Sequence, residues 1–156
     1  MIRVVADTNV LASGLAGYDA LEGPAAYLLR AWQQRRFDLV ASGPIFEELK
    51  RTLAKPYFVQ RLGLMGAWRA LDFIREGALW VIELADVRGV ATTPADDLIL
   101  ATAVAGGASL LVTGDRQLLN LGEYRGVRIV GPRAFVDWLG AEVAGDVGEE
   151  GERGDE

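Results

Sequence analysis

The chain has 156 residues, 51% hydrophobic and 24% charged, with no cysteine and no histidine. Those proportions belong to a folded domain, and the two absences exclude disulfide scaffolds, thiol nucleophiles, thiolate or imidazole metal ligands and any mechanism that relies on a histidine base. The net charge of −6 comes from the end of the chain: of 22 acids and 16 bases, seven and one lie in EVAGDVGEEGERGDE from Glu142 onward, leaving 15 of each before it.

The composition therefore divides into one domain, residues 1–141, and an acidic, Gly-rich tail, 142–156, whose paucity of large apolar residues predicts disorder. No apolar run reaches the ~18 residues of a membrane span. The start, MIRVV, is a strand pattern rather than a basic segment followed by a long apolar one, so a cytoplasmic protein without a membrane partner is expected. A neutral body whose acids are gathered in one place admits a phosphate backbone as partner, in the absence of any basic patch for strong non-specific binding.

In chain order, Ile2 to Ala6 reads as a buried strand and ends on Asp7, with Asn9 just beyond. An ionised carboxylate costs several kcal/mol to desolvate unless something pairs with it. Asp7 is thus either a turn or cap residue or part of a site, and Asn9 either a helix N-cap or a supporting polar group. A helix near Pro24 to Arg35 and a strand from Phe37 to Ala41 follow. The next helix, Pro44 to Ala54, turns Ile45, Phe46, Leu49 and Leu53 inward; Glu48 borders that face and Glu47 lies farther round, so Glu48 is the better candidate against the plain reading of a solvated face.

A helix from Tyr57 to Glu76 carries the apolar, aromatic stretch YFVQRLGLMGAWRALDFI, suited to a helix–helix core or to an interface. After a strand from Leu79 to Leu84, the helix Pro94 to Ala105 begins with Thr93 as N-cap and proline in the first position. At ~100° per residue Asp96 falls on the stripe of Ile99, Leu100 and Ala103 while Asp97 lies to one side, so Asp96 is expected to be the buried acid. In the strand Leu110 to Thr113 and its exit VTGD, Gly114 permits a tight turn. The Thr113 hydroxyl is placed to orient a carboxylate or a water, and Asp115 is either a ligand or the N-cap of DRQLLNL. A strand from Val127 to Val130 and a helix from Pro132 to Leu139 complete the pattern.

Short apolar runs alternating with helices predict an α/β fold: three layers, with a five-stranded parallel sheet flanked by helices. In such sheets ligands bind outside the carboxyl ends of the strands, at the topological switch point. Asp7 and Asp115 both follow strand ends, and Asp96 opens a helix that faces the sheet. Clustered carboxylates repel unless a cation lies between them, and an all-oxygen donor set suits Mg²⁺ or Mn²⁺. Any hydrolytic chemistry at such a site would run on carboxylates and a metal-bound water, without a histidine. Other phosphoryl-transfer folds that place an Asp after the first strand need a second Asp where Asn9 stands, and a dinucleotide fold needs G-x-G-x-x-G where ADTNVLASG stands.

VVADTNVLASGL, the glutamate of PIFEELKRTLAKP, PADDLILATAVAGGA and LLVTGDRQLLNL, in this order, resemble the PIN-domain nucleases, and among them the small single-domain toxins of bacterial and archaeal type II toxin–antitoxin pairs. The resemblance runs from about Ile2 to Leu139. It implies a Mg²⁺- or Mn²⁺-dependent endoribonuclease with a catalytic quartet of Asp7, Glu48, Asp96 and Asp115, of which Asp7, Asp96 and Asp115 hold metal, supported by Asn9 and Thr113. On that reading an RNA phosphodiester is hydrolysed by in-line attack of water, with Glu48 aligning the water or a second ion, and Arg116 either a solvated residue at a helix start or a clamp on a neighbouring phosphate. It also implies a homodimer and a small antitoxin partner. Related sequences often have a small or polar residue where Asp97 stands, so Asp96 against Asp97, like Glu48 against Glu47, stays open at this point. The alternative is a PIN-like module that holds RNA or protein without cutting it.

Overall fold

The short apolar runs assemble into one sheet in the computed structural model, which describes the backbone of residues 1–150 and the side chains of residues 1–141. Of the tail expected to be disordered, 142–156, residues 151–156 lie outside that description, and the backbone of 142–150 continues the last helix. The elements are β1 (Arg3–Ala6), α1 (Thr8–Ala16), α2 (Gly23–Gln33), β2 (Asp38–Ser42), α3 (Gly43–Leu53), α4 (Pro56–Gly77), β3 (Leu79–Val81), α5 (Pro94–Ala105), β4 (Leu110–Val112), α6 (Arg116–Leu121), β5 (Glu123–Tyr124), β6 (Val127–Val130) and α7 (Pro132–Glu150). Proline at the first or second position starts α2, α3, α4 and α5, where its missing N–H costs nothing and its fixed φ suits the helix.

The sheet order is β3-β2-β1-β4-β6-β5. Its first five strands are parallel, and β5 adds an antiparallel edge through Tyr124 opposite Val127. Consecutive strand residues point to opposite faces, yet Val4, Val5 and Ala6, Leu39, Val40 and Ala41, and Leu111 and Val112 are all buried. Both faces of the central strands are therefore covered, as the three-layer expectation requires. Below the carboxyl edge, the buried hydroxyls of Ser42 on β2 and Thr102 on α5 lie 2.8 Å apart, and Thr102 also donates to the Leu98 carbonyl. At the other end of the core, Phe37 and Phe135 meet edge to face at 5.3 Å and dock α7.

Several elements depart from the sequence reading. Helix α1 is foreshadowed only by Asn9 as a candidate N-cap, with no range of its own: Val10, Leu11, Ala12 and Leu15 are buried almost all the way round it, so no polar stripe marks it as amphipathic. β3 stops at Val81 instead of Leu84, and the polar stretch through Glu83, Asp86 and Arg88 forms a loop. β5 has only two residues and pairs with β6 around Arg125 and Gly126, both at positive φ (45° and 82°), as tight two-residue hairpin turns require. Helix α4 also breaks at Gly63 (φ 68°), a conformation that glycine adopts without strain. Among the described residues no helix is long and apolar enough to cross a membrane.

Candidate functional site

The chain leaves β1 toward β2 on one side, and β4 leads to β6 on the other, while β1 and β4 pair with each other. The gap between the carboxyl ends of β1 and β4 is thus the switch point of the sheet. Asp7 stands at one side of it, its N–H still bonded to the Val112 carbonyl at 2.9 Å. Thr113 stands at the other, its N–H on the Val130 carbonyl at 3.0 Å. The Thr113 side chain is fully buried. Its hydroxyl donates to Asp7 Oδ2 at 2.7 Å and accepts from the Asp115 N–H at 3.0 Å. One hydroxyl thereby fixes both the Asp7 carboxylate and the backbone that carries Asp115.

Asp7 is only 8% exposed. It occupies the N-cap of α1 without spending its carboxylate on a capping bond, and the positive end of the helix lies beneath it. Asp115, exposed, is the N-cap of α6 and accepts from the Gln117 and Leu118 N–H groups at 2.9 and 3.1 Å, both on Oδ1. The plain reading of Asp115 as a cap is therefore realised in one of its two oxygens.

The expectation that Asp96 is the buried acid is corrected. Asp97 is buried, at 7% exposure, and Asp96 is half-buried. The helical wheel assumed that only the sheet covers α5, but the loop before the helix folds back onto its first turn. The Asp97 carboxylate accepts from the N–H groups of Gly89 (2.9 Å), Val90 (3.1 Å) and Ala91 (2.7 Å). Asp96 follows the Thr93 N-cap, whose hydroxyl accepts its N–H at 3.2 Å. Burial raises the Asp96 carboxyl above its ordinary value; the Thr93 side chain opposes that shift, and the charges of Asp7, Asp115 and Asp97, in that order, add to it. Asp96 therefore lies within electrostatic reach of Asp7 and Asp115, and Asp97 is already engaged with backbone.

The remaining candidates are spread more widely. Glu48, half-buried, lines a separate recess between α3 and the start of α5 with Glu47, Arg51, Ala95 and Leu98, and it is not among the charges that act on Asp96. Glu47 is exposed and 3.6 Å from Lys50. Asn9 is exposed in the first turn of α1 and is not its N-cap, a position Asp7 takes. Arg116 is exposed at the first position of α6. Sequence reasoning passed over Thr8, which is 1% exposed and whose hydroxyl has no protein partner among the described residues; its only signal was its place beside Asp7.

Asp96 and Asp115 line a concavity of about 260 Å³ with Val90, Ala91 and Thr92 on one side and Gln117, Leu118, Asn120 and Leu121 on the other. Among the described residues no three acidic side chains form a ready-made cage for an ion. The donor set nevertheless fits a hard divalent cation. It is all oxygen, its acids repel one another, and Mg²⁺ ordinarily keeps several waters and takes only one or two carboxylates directly.

The sequence profile of the PIN domain matches residues 3–117. No curated protein matches. Solved structures with a similar fold include VapBC2 from Rickettsia felis bound to a DNA fragment from their promoter (14% identity, 83% of this chain and 98% of that one, TM-score 0.56). They also include PAE2754 from Pyrobaculum aerophilum (21%, 90% and 96%, 0.61). A third is Mycobacterium tuberculosis VapC20, a Sarcin-Ricin loop cleaving toxin (19%, 80% and 98%, 0.51). Its acids at the switch point of a five-strand parallel core, and a profile match over most of its length, place this chain in the PIN-domain family.

Proposed function

We propose that the chain is an endoribonuclease dependent on Mg²⁺ or Mn²⁺, and the toxin of a toxin–antitoxin pair. What supports the reading is the pairing of Asp7 and Asp115 through the Thr113 hydroxyl at the ends of β1 and β4, with Asp96 beside Asp115 in one concavity. The fold it shares with VapC20, described as a Sarcin-Ricin loop cleaving toxin, and with VapBC2 supports RNA as substrate and an antitoxin as partner.

Asp7, Asp96 and Asp115 are the residues that would hold the ion, directly or through water. Bound there, a divalent cation supplies an acidified water and positive charge against the phosphate. Thr113 holds the Asp7 carboxylate in place. Arg116 meets a neighbouring phosphate, Asn9 is an outer polar support, and Glu48, in a recess separate from the concavity of Asp96 and Asp115, would align water only from the α3 side, outside the set that holds the ion. The exposed Leu64, Met65 and Trp68 of α4 offer apolar surface for a second copy or for the antitoxin, and an RNA substrate makes the cytoplasm the expected compartment.

The test is cleavage of a labelled single-stranded oligoribonucleotide. Activity in Mg²⁺ or Mn²⁺ that disappears in Asp7→Asn and Asp96→Asn, with circular dichroism unchanged, supports the reading. Wild-type activity in excess EDTA contradicts it. A module that only binds would show no stoichiometric Mn²⁺ uptake by calorimetry.

A further inference from the structure

The proposed ion ligands account for Asp96 but leave its neighbour Asp97 without a catalytic task, and Asp97 is the more buried of the two. Its carboxylate takes three successive backbone N–H groups, those of Gly89, Val90 and Ala91. Successive N–H groups converging on one anion form a nest, and Gly89, at φ 65°, supplies the left-handed residue that such a turn needs. Val90 and Ala91, held in this way, face the same concavity as Asp96 and Asp115. Asp96 and Asp97 are consecutive on the first turn of α5, so one short piece of helix carries a proposed ion ligand and the anchor of the wall beside it.

We propose that Asp97 is a positioning residue: through residues 89–91 it sets the wall along which the RNA strand lies beside Asp96 and Asp115. This rests on the nuclease reading. The wall carries none of the proposed ion ligands, so its displacement weakens binding of the strand more than the chemical step.

Asn in place of Asp97 keeps the shape but offers one acceptor oxygen, and its NH₂ turns a donor toward backbone donors. With a labelled single-stranded oligoribonucleotide of mixed sequence and saturating Mn²⁺, Asp97→Asn should raise KM about tenfold and change kcat by less than about threefold. Calorimetric Mn²⁺ affinity should stay within about twofold of wild type, and hydrogen exchange at the amides of residues 89–91 should accelerate. An unchanged KM, measured well below the melting temperature of the variant, overturns the proposal, as does a loss of Mn²⁺ affinity with kcat, which would make Asp97 a ligand. Should Asp97→Asn fail to fold, Gly89→Ala decides. A Cβ there meets nothing within 4 Å, so the change strains only the exposed loop, and it should raise KM in the same sense; an unchanged KM again overturns the proposal. A wild type that cleaves no RNA overturns both readings, whereas a cleaving wild type matched in KM by the variants overturns this one alone.

Discussion

Thr113→Val removes a hydroxyl and keeps the shape and β-branching of the side chain. The hydroxyl makes two bonds in a fully buried position, one to the Asp7 carboxylate at 2.7 Å and one from the Asp115 N–H at 3.0 Å. A hydrogen bond to a charged group is worth ~1.5–3 kcal/mol and one between neutral groups about 1 kcal/mol. Burying a methyl in place of the oxygen returns up to ~0.8 kcal/mol, so the net cost is about 2–3 kcal/mol. For a domain of this size that corresponds to a fall in Tm on the order of 5–10 °C. The assay is urea and thermal unfolding in EDTA, so that no ion contributes. Thr113→Ser, which keeps the hydroxyl and loses a methyl, should stay within ~1 kcal/mol of wild type. The Val and Asp7→Asn changes should be non-additive, because each weakens the same contact. A cost below ~0.5 kcal/mol for Val, or a Ser variant as unstable as the Val one, would refute the argument, since packing rather than the hydroxyl would then hold the strand end.

Because burial, joined by Asp7 and Asp115, raises the Asp96 carboxyl, the folded chain retains a proton there at pH values where the unfolded chain has lost it. The stability of ion-free protein should therefore fall as pH rises from the ordinary carboxylate range through the raised value. Urea unfolding in EDTA should show that fall in wild type and a smaller one in Asp96→Asn; equal slopes count against the cluster. Thr8→Val should be neutral or stabilising by up to ~1 kcal/mol, because the buried hydroxyl has no protein partner among the described residues; a loss of that size by the same measurement would reveal a water or ligand on it. Phe135→Ala should cost ~3–5 kcal/mol by undoing the contact with Phe37, and a cost under ~1 kcal/mol would mean that α7 does not depend on it.

The five parallel strands were legible because each is a short apolar run between turn residues, a pattern that leaves few alternatives once both faces must be covered. Asp7, Thr113 and Asp115 were legible for the same reason: a polar residue where such a run ends marks the carboxyl edge of the sheet. Asp96 and Asp97 were not, because a helical wheel records only the period of the helix. Asp97 is covered by a loop six to eight residues earlier in the chain, and no hydrophobic period reports a chain folding back on itself. Glu48 was placed at the border of its helix face, and it is half-buried as that predicts. The wheel could not say that the element next to it would be the start of α5. β5, at two residues, is too short to leave a period of its own.

The three acids at the switch point have one more property in common. Asp7 and Asp115 are the N-caps of α1 and α6, and Asp96 lies in the first turn of α5, so each acid belongs to the positive end of a helix, an effect worth ~0.3–1 kcal/mol at an exposed position, although only Asp115 bonds its helix amides directly. Local compensation of this kind lets the chain place three negative charges together without an ion, which accords with the absence of a closed cage among the described residues. It does not cancel their mutual repulsion, which persists at Asp96. Ion binding should therefore be separable from folding, unlike a structural zinc site, whose removal unfolds the domain. Protein stripped with EDTA should melt cooperatively, and Mn²⁺ at 100 times its Kd should then add about 2.7 kcal/mol, with a smaller gain in Asp96→Asn. A stripped protein that is already unfolded would show instead that the helix ends are insufficient and that the ion is part of the fold.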